Sequence, residues 1–187
     1  MLKMIKLMVF ILSFLFSIHA LACGEVNRDI LNRNSPDQHY QQAINSDRLA
    51  NNSALLFFYS NKNEDYPDVK AFFSPDRCNI NNGVFFDSYG YNAGIADVIS
   101  VFWGKGKYTD RFFTIIKWNV NAGGSPSYGW YYMVNAYFFP GQDNLIKKDE
   151  KLTSYFGQGI EGISNGEISH FKYKTASDVW KALEWVD

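Results

Sequence analysis

The segment Gly157-Gln158-Gly159-Ile160-Glu161-Gly162 has the G-x-G-x-x-G spacing that lets backbone amides approach a pyrophosphate, and Asp178 lies near the offset of a ribose-binding acid. That chemistry needs a helix starting at the glycines, because the amides of its first turn hold the phosphates. Here the motif runs into Ile163, Ser164 and then Asn165-Gly166, a turn pair leading to another strand. With no βαβ unit around it, the segment is expected to be a glycine-rich loop between strands. Ser125-Pro126-Ser127-Tyr128-Gly129 has the outline of a nucleophile elbow, but Ser125 replaces the first glycine and a strand follows in place of the required helix.

Other chemistry finds fewer parts. Beyond the leader described below, the histidines are His39 and His170, and each reads as a polar surface residue with no partner motif nearby. They do not combine with Cys23, Cys78 or the scattered carboxylates into a metal-ligand spacing, so no metal and no cofactor is expected. Gly104-Lys105-Gly106-Lys107 lacks the rest of a P-loop frame and reads as a hairpin tip. Two acids can converge from distant positions in a fold, which keeps a carboxylate-dependent hydrolase as the last-ranked function.

What remains is recognition. The tip offers Lys105, Lys107, Tyr108 and Arg111, and the loop before the next strand offers Asn121, Tyr128 and Trp130. Tyr, Trp and Arg are the side chains that most often carry interface energy. The competing account is that Tyr108 and Trp130 finish the core while the lysines solvate a hairpin end.

The N-terminus bounds the setting. Lys3 and Lys6 form a positive start, Leu7 to Ile18 an apolar run broken only by Ser13 and Ser17, and Ala20-Leu21-Ala22 a small-x-small site before Cys23. The run is too short for a spanning helix, which needs about 20 apolar residues. Residues 1–22 are therefore expected to be a cleaved signal peptide, and residues 23–187 a single exported, periplasmic domain without a membrane span. In an oxidising compartment Cys23 and Cys78 are expected to pair, closing a long loop worth about 4 kcal/mol in the chain-entropy view. The rival is a lipoprotein anchored at Cys23, but Ala20 and Leu21 stand in the reverse of the usual lipobox order.

The whole chain carries 18 basic and 19 acidic residues; without Lys3 and Lys6 the balance is 16 against 19, a formal net charge of −3. No block of like charge is present, which argues against nucleic acid as a partner. A composition of 47% hydrophobic and 20% charged residues is that of a packed globule, not a disordered chain.

Elements follow from periodicity. Ser35, Pro36, Asp37 and Gln38 look like a helix start, with Tyr40, Ala43 and Ile44 on its buried stripe and Asn51-Asn52 at its end. Strands are expected over 54–60, 68–74, 84–89, 98–103, 111–120, 130–139, 151–156 and 167–174. Thr175 and Asp178 cap a terminal helix packing through Val179, Trp180, Leu183 and Val186. The expected class is α+β: one mainly antiparallel sheet of about seven or eight strands, an N-terminal helix and a short C-terminal helix. The first-ranked function is a non-enzymatic, protein-binding factor, such as an immunity protein or inhibitor that neutralises a toxin or effector. A carbohydrate- or peptidoglycan-binding β-domain comes second, because flat rings stack on sugar faces.

Overall fold

Strand periodicity governs most of the chain in the computed structural model, which describes residues 40–60, 65–121, 124–140 and 145–186. The strands are β1 (Tyr40–Asn45), β2 (Ala54–Tyr59), β3 (Val69–Ser74), β4 (Val84–Tyr89), β5 (Asp97–Trp103), β6 (Arg111–Val120), β7 (Tyr128–Phe138), β8 (Lys147–Lys148), β9 (Gln158–Ser164) and β10 (Glu167–Ser169). The helices are α1 (Glu150–Phe156) and α2 (Ala176–Leu183). A four-stranded sheet runs β1-β2-β3-β4 and a six-stranded sheet runs β10-β9-β7-β6-β5 with β8 on β7, every pair antiparallel.

The two sheets bury one face each against the other. Leu55, Phe57, Val69, Ala71, Phe73 and Tyr89 meet Val98, Phe112, Ile116, Trp118 and Tyr137 in a shared core. The far face of the larger sheet has its own core, where Phe113, Ile115, Val134 and Ala136 pack under Leu152 and Phe156 of α1, Val179 and Leu183 of α2, and Phe171. Consequently β6 is buried on both faces from Phe112 to Ile116. Each large side chain so buried stabilises the fold by about 1.5–3 kcal/mol relative to exposure.

Bulges aim two side chains. On β4, Asp87 pairs with Ala71 and Phe85 with Phe72, so Phe86 is the extra residue and turns in among Phe57, Phe112 and Tyr137. On β1, Tyr40 pairs with Phe58 and Gln42 with Phe57, leaving Gln41 swung out of its own ladder. Its amide reaches β5 at the edge of the other sheet: Nε2 donates to the Ala96 carbonyl at 2.7 Å and Oε1 accepts from the Val98 amide at 2.7 Å.

A polar layer crosses the shared core. The Tyr89 hydroxyl lies 2.9 Å from that of Tyr137 and 3.4 Å from Thr114 Oγ1. Tyr137 donates to Asp87, which accepts from Lys148 Nζ at 2.8 Å. Burial, reinforced by the Asp87 charge, holds both phenols protonated well above the ordinary tyrosine range.

The expected α+β class is corrected: the described chain is mostly antiparallel β, two sheets instead of one, ten strands instead of seven or eight, and two short helices. No N-terminal helix occurs among the described residues, since Tyr40–Asn45 is a strand. Ala43 and Ile44, expected on one helical stripe, go to opposite faces of the sheet, opposite Leu56 and Leu55. The apolar β2 needs a partner for its backbone, and that demand overrides the local helical pattern. Residues 151–156, expected as a strand, belong to α1; Asp149 Oδ1 accepts from the Leu152 amide at 3.1 Å as its N-cap, and Leu152 and Phe156 form an i, i+4 buried pair. The expected long strand 167–174 is only Glu167–Ser169, and the glycine-rich segment is itself the strand β9.

Each glycine of that segment has a structural task. Gly157 caps α1 at φ 63°. Gly159 makes room for Phe171, whose Cδ2 would lie 3.0 Å from an added Cβ. Gly162 faces Gly129 across the β7–β9 pair, with φ values of 146° and 129°, and an added Cβ on either would fall 2.4 Å from a carbonyl oxygen of the other strand. Asn165 and Gly166, both at positive φ, make the β9–β10 turn.

Candidate functional site

The expected tip lies between β5 and β6 and folds back on itself. Gly104 donates to the Arg111 carbonyl at 2.9 Å and Tyr108 to the Lys105 carbonyl at 3.1 Å, closing a short 3₁₀ turn over Gly106–Tyr108. Gly104 is required there, because a Cβ would lie 2.1 Å from the Tyr108 carbonyl oxygen. Helix α2 is brought alongside by its own sequence. Thr175 and Asp178 form a reciprocal capping box that fixes its start. Trp180 then packs edge-on against Phe102 and donates its indole N–H to the Trp103 carbonyl at 2.8 Å. The Tyr108 hydroxyl donates to the Val186 carbonyl at 3.2 Å, tying tip to C-terminus.

Between tip and helix lies a cleft of about 640 Å³, whose walls include Lys105, Lys107, Tyr108, Trp180, Lys181 and Glu184. Lys105 Nζ rests 3.8 Å above the Trp180 ring and Lys107 Nζ 5.3 Å from the Tyr108 ring. Among the described residues none of the three lysine ammonium groups has a carboxylate within 4.0 Å, whereas Arg77, Arg111, Lys148 and Lys174 all do. Trp185, between cleft residues Glu184 and Val186, is 80% exposed.

A second hollow of about 320 Å³ adjoins the other side of the tip and shares Lys107 and Tyr108 with the first. Arg111 lies there, already engaged: Nε binds Asp149 Oδ2 at 2.8 Å, Nη1 pairs with Asp110, and the guanidinium sits 4.7 Å above the Phe138 ring. It fastens the tip to the cap of α1.

The structure thus gathers Lys105, Lys107, Tyr108 and Arg111 at one end and places Tyr128 and Trp130 at the other. Strand β6 separates the ends by about 30 Å, from its ten residues. Tyr128 and Trp130 are 53% and 41% exposed, Lys117 Nζ lies 4.3 Å over the Trp130 ring, and Asn121 Nδ2 donates to Asn119 Oδ1. Sequence reasoning missed Lys181, Glu184 and Trp185 as cleft neighbours. The helical stripe was visible, but nothing local said which strand ends it would meet.

Glu161, inside the apparent fingerprint, holds the segment after β10 against β9. It accepts from Lys174 Nζ at 2.9 Å, pairs with His170 Nδ1 at 3.2 Å and accepts from the Phe171 amide at 3.0 Å. Lys174 first, then His170, hold its carboxyl down at about 2. Ser125 and Ser127, the elbow candidates, accept from the amides of Ser127 and Asn165 and act as loop braces. Among the described residues no group of three or more His, Cys, Asp or Glu side chains could hold a metal ion, and no helix is long and apolar enough to cross a membrane. The leader, Cys23 and His39 lie outside the described residues; Cys78 is placed with its amide donating to Asp76 Oδ1 at 2.9 Å and its Sγ 3.7 Å from Asn52 Nδ2. Compared with known protein families, with curated proteins and with solved structures, the chain matches none of them.

Proposed function

We propose that this protein acts by holding another protein, as an exported, non-enzymatic factor such as an immunity protein or inhibitor that neutralises a toxin or effector. The carrying observation is the convergence of Lys105, Lys107 and Lys181, without carboxylate partners among the described residues, beside a Trp185 that is 80% exposed. Exposed Trp supplies the area that anchors interfaces, and neighbouring charge supplies choice of partner and speed of encounter. The leader at residues 1–22 and a Cys23–Cys78 disulfide belong to the same proposal, and intact mass of the secreted product tests both.

The decisive experiment titrates the mature chain calorimetrically against secreted proteins encoded in the neighbouring reading frames. A nanomolar complex, weakened at least about tenfold by Trp185→Ala, is expected. No complex with any of them, and no protection of cells that export them, refutes the reading.

A second reading, glycan binding, is favoured by one observation. Tyr128 and Trp130 are 53% and 41% exposed, and with Tyr132 they occupy alternate positions, hence one face, of β7. It predicts that cell-wall oligosaccharides quench Trp fluorescence and that Trp130→Ala abolishes the effect. An unchanged spectrum across a glycan panel removes it.

A further inference from the structure

Resting on the reading of this end as a protein-binding surface, we infer that it grips an extended acidic segment of the partner, with carboxylates over the Lys105–Lys107–Lys181 cleft and an uncharged continuation over the hollow beside Arg111. The two hollows, of about 640 and 320 Å³, share Lys107 and Tyr108, so they form one track around the tip. A track that bends around a turn suits an extended chain better than a helix face.

Charge gives the track a direction. Among the described residues that line the larger hollow, three ammonium groups stand against the single carboxylate of Glu184. In the smaller, Lys107, Arg111 and Lys151 stand against Asp110 and Asp149 among the described residues, and Arg111 already pairs with both acids, so the lining there is closer to neutral. Carboxylates of the bound segment therefore belong at the Lys181 end. Lys105 and Lys107 lie over aromatic rings, which restricts their rotamers before binding and reduces the entropy lost on capture.

The same features disfavour a phosphate ligand. The tip amides of Gly104 and Tyr108 are already used within the turn, leaving them out of any anion cradle. Glu184, Asp110 and Asp149 interrupt the positive surface that a nucleic-acid backbone would follow.

The test uses the full mature chain, ¹⁵N-labelled, with three probes: end-blocked hexaglutamate, end-blocked hexaglutamine and a short single-stranded oligonucleotide. Hexaglutamate is expected to shift the Trp180 indole N–H, because a carboxylate draws Lys105 off the ring. Binding should weaken at least about tenfold between about 50 and about 200 mM salt. It should weaken as much in the triple variant Lys105→Glu, Lys107→Glu, Lys181→Glu, while hexaglutamine has no effect. Should the triple variant misfold, Lys181→Glu alone serves, since among the described residues it disturbs no ion pair or ring contact of Lys181. Equal binding of glutamine and glutamate peptides, preference for the oligonucleotide, or binding indifferent to the lysine changes overturns the inference. An effector complex that survives the triple reversal overturns this inference alone and leaves the protein-binding reading intact. Hexaglutamate bound at Trp180 with no effector complex sinks the protein-binding reading and keeps the acid-selective cleft.

Discussion

Asp149 does two things with one carboxylate, and the two can be separated. Its Oδ1 accepts from the Leu152 amide at 3.1 Å, capping α1, while Oδ2 binds Arg111 Nε at 2.8 Å. Losing an N-cap costs about 1 kcal/mol. The ion pair is only 24% and 16% exposed at its two side chains, so solvent screens it weakly and it is worth about 1–2 kcal/mol. Asp149→Ala should therefore cost about 2–3 kcal/mol, a fall in Tm of about 5–10 °C for a domain of this size. Asp149→Asn retains an N-cap oxygen and loses the charge, so about 1–2 kcal/mol of the loss should remain. The assay is urea unfolding of the wild type, Asp149→Asn, Arg111→Ala and the double variant, giving a coupling energy of about 1 kcal/mol or more. A coupling below about 0.3 kcal/mol, together with Arg111→Ala that leaves stability alone and abolishes effector binding, refutes the reasoning. Arg111 would then be a recognition residue and not a fastener.

The buried phenols make a prediction about alkali. The folded pKa of Tyr89 and Tyr137 lies above the unfolded value near 10, so their contribution is complete below that value and declines as pH rises beyond it; a spectrophotometric titration should show two tyrosines ionising only with unfolding. Glu161 behaves oppositely: its depressed value of about 2 adds stability above the unfolded carboxyl range near 4.5 that is lost as pH falls from there toward 2. Glu161→Gln should flatten that acid limb and speed hydrogen exchange at the Phe171 amide, and an unchanged limb would count against it. Gly162→Ala, at φ 146° with its Cβ 2.4 Å from the Tyr128 carbonyl oxygen, should cost about 3 kcal/mol or more, while Gly166→Ala, at φ 84° in open space, should cost about 1 kcal/mol; equal melting temperatures would refute the account of the facing glycine pair.

Much of the sheet was legible because β2, β3, β6 and β7 carry strong apolar runs or alternation, and the α2 capping box was visible as Thr175 and Asp178. The failures share a cause. Tyr40–Asn45 contains Tyr, Ala and Ile at spacings that fit a helix equally well, and only the unpaired edge of β2 decides. Lys151–Phe156, expected as a strand, has an Asp149 cap before it and Gly157 after it, two helix signals that the expectation did not use. The glycines of 157–162 were expected in a loop between strands, and their place in β9 depends on Phe171 and Gly129, both distant in sequence. The candidate site was half visible: Lys105, Lys107 and Tyr108 stand together locally, but Lys181 joins them through the docking of α2, where Val179 and Leu183 are buried and Trp180 finds the Trp103 carbonyl.

The Gln41 amide has a consequence for self-association. Two open sheets stacked face to face expose four rims, any of which could template a neighbouring molecule's strand. By occupying the Ala96 carbonyl and the Val98 amide, one side chain rivets the β1 rim to the β5 rim, and the bulge at Ile99 roughens the same seam. Cross-molecule strand pairing is thereby steered to the β4 and β10 rims, the latter only three residues long, so Gln41→Ala should make stored solutions form β-rich oligomers sooner than wild type.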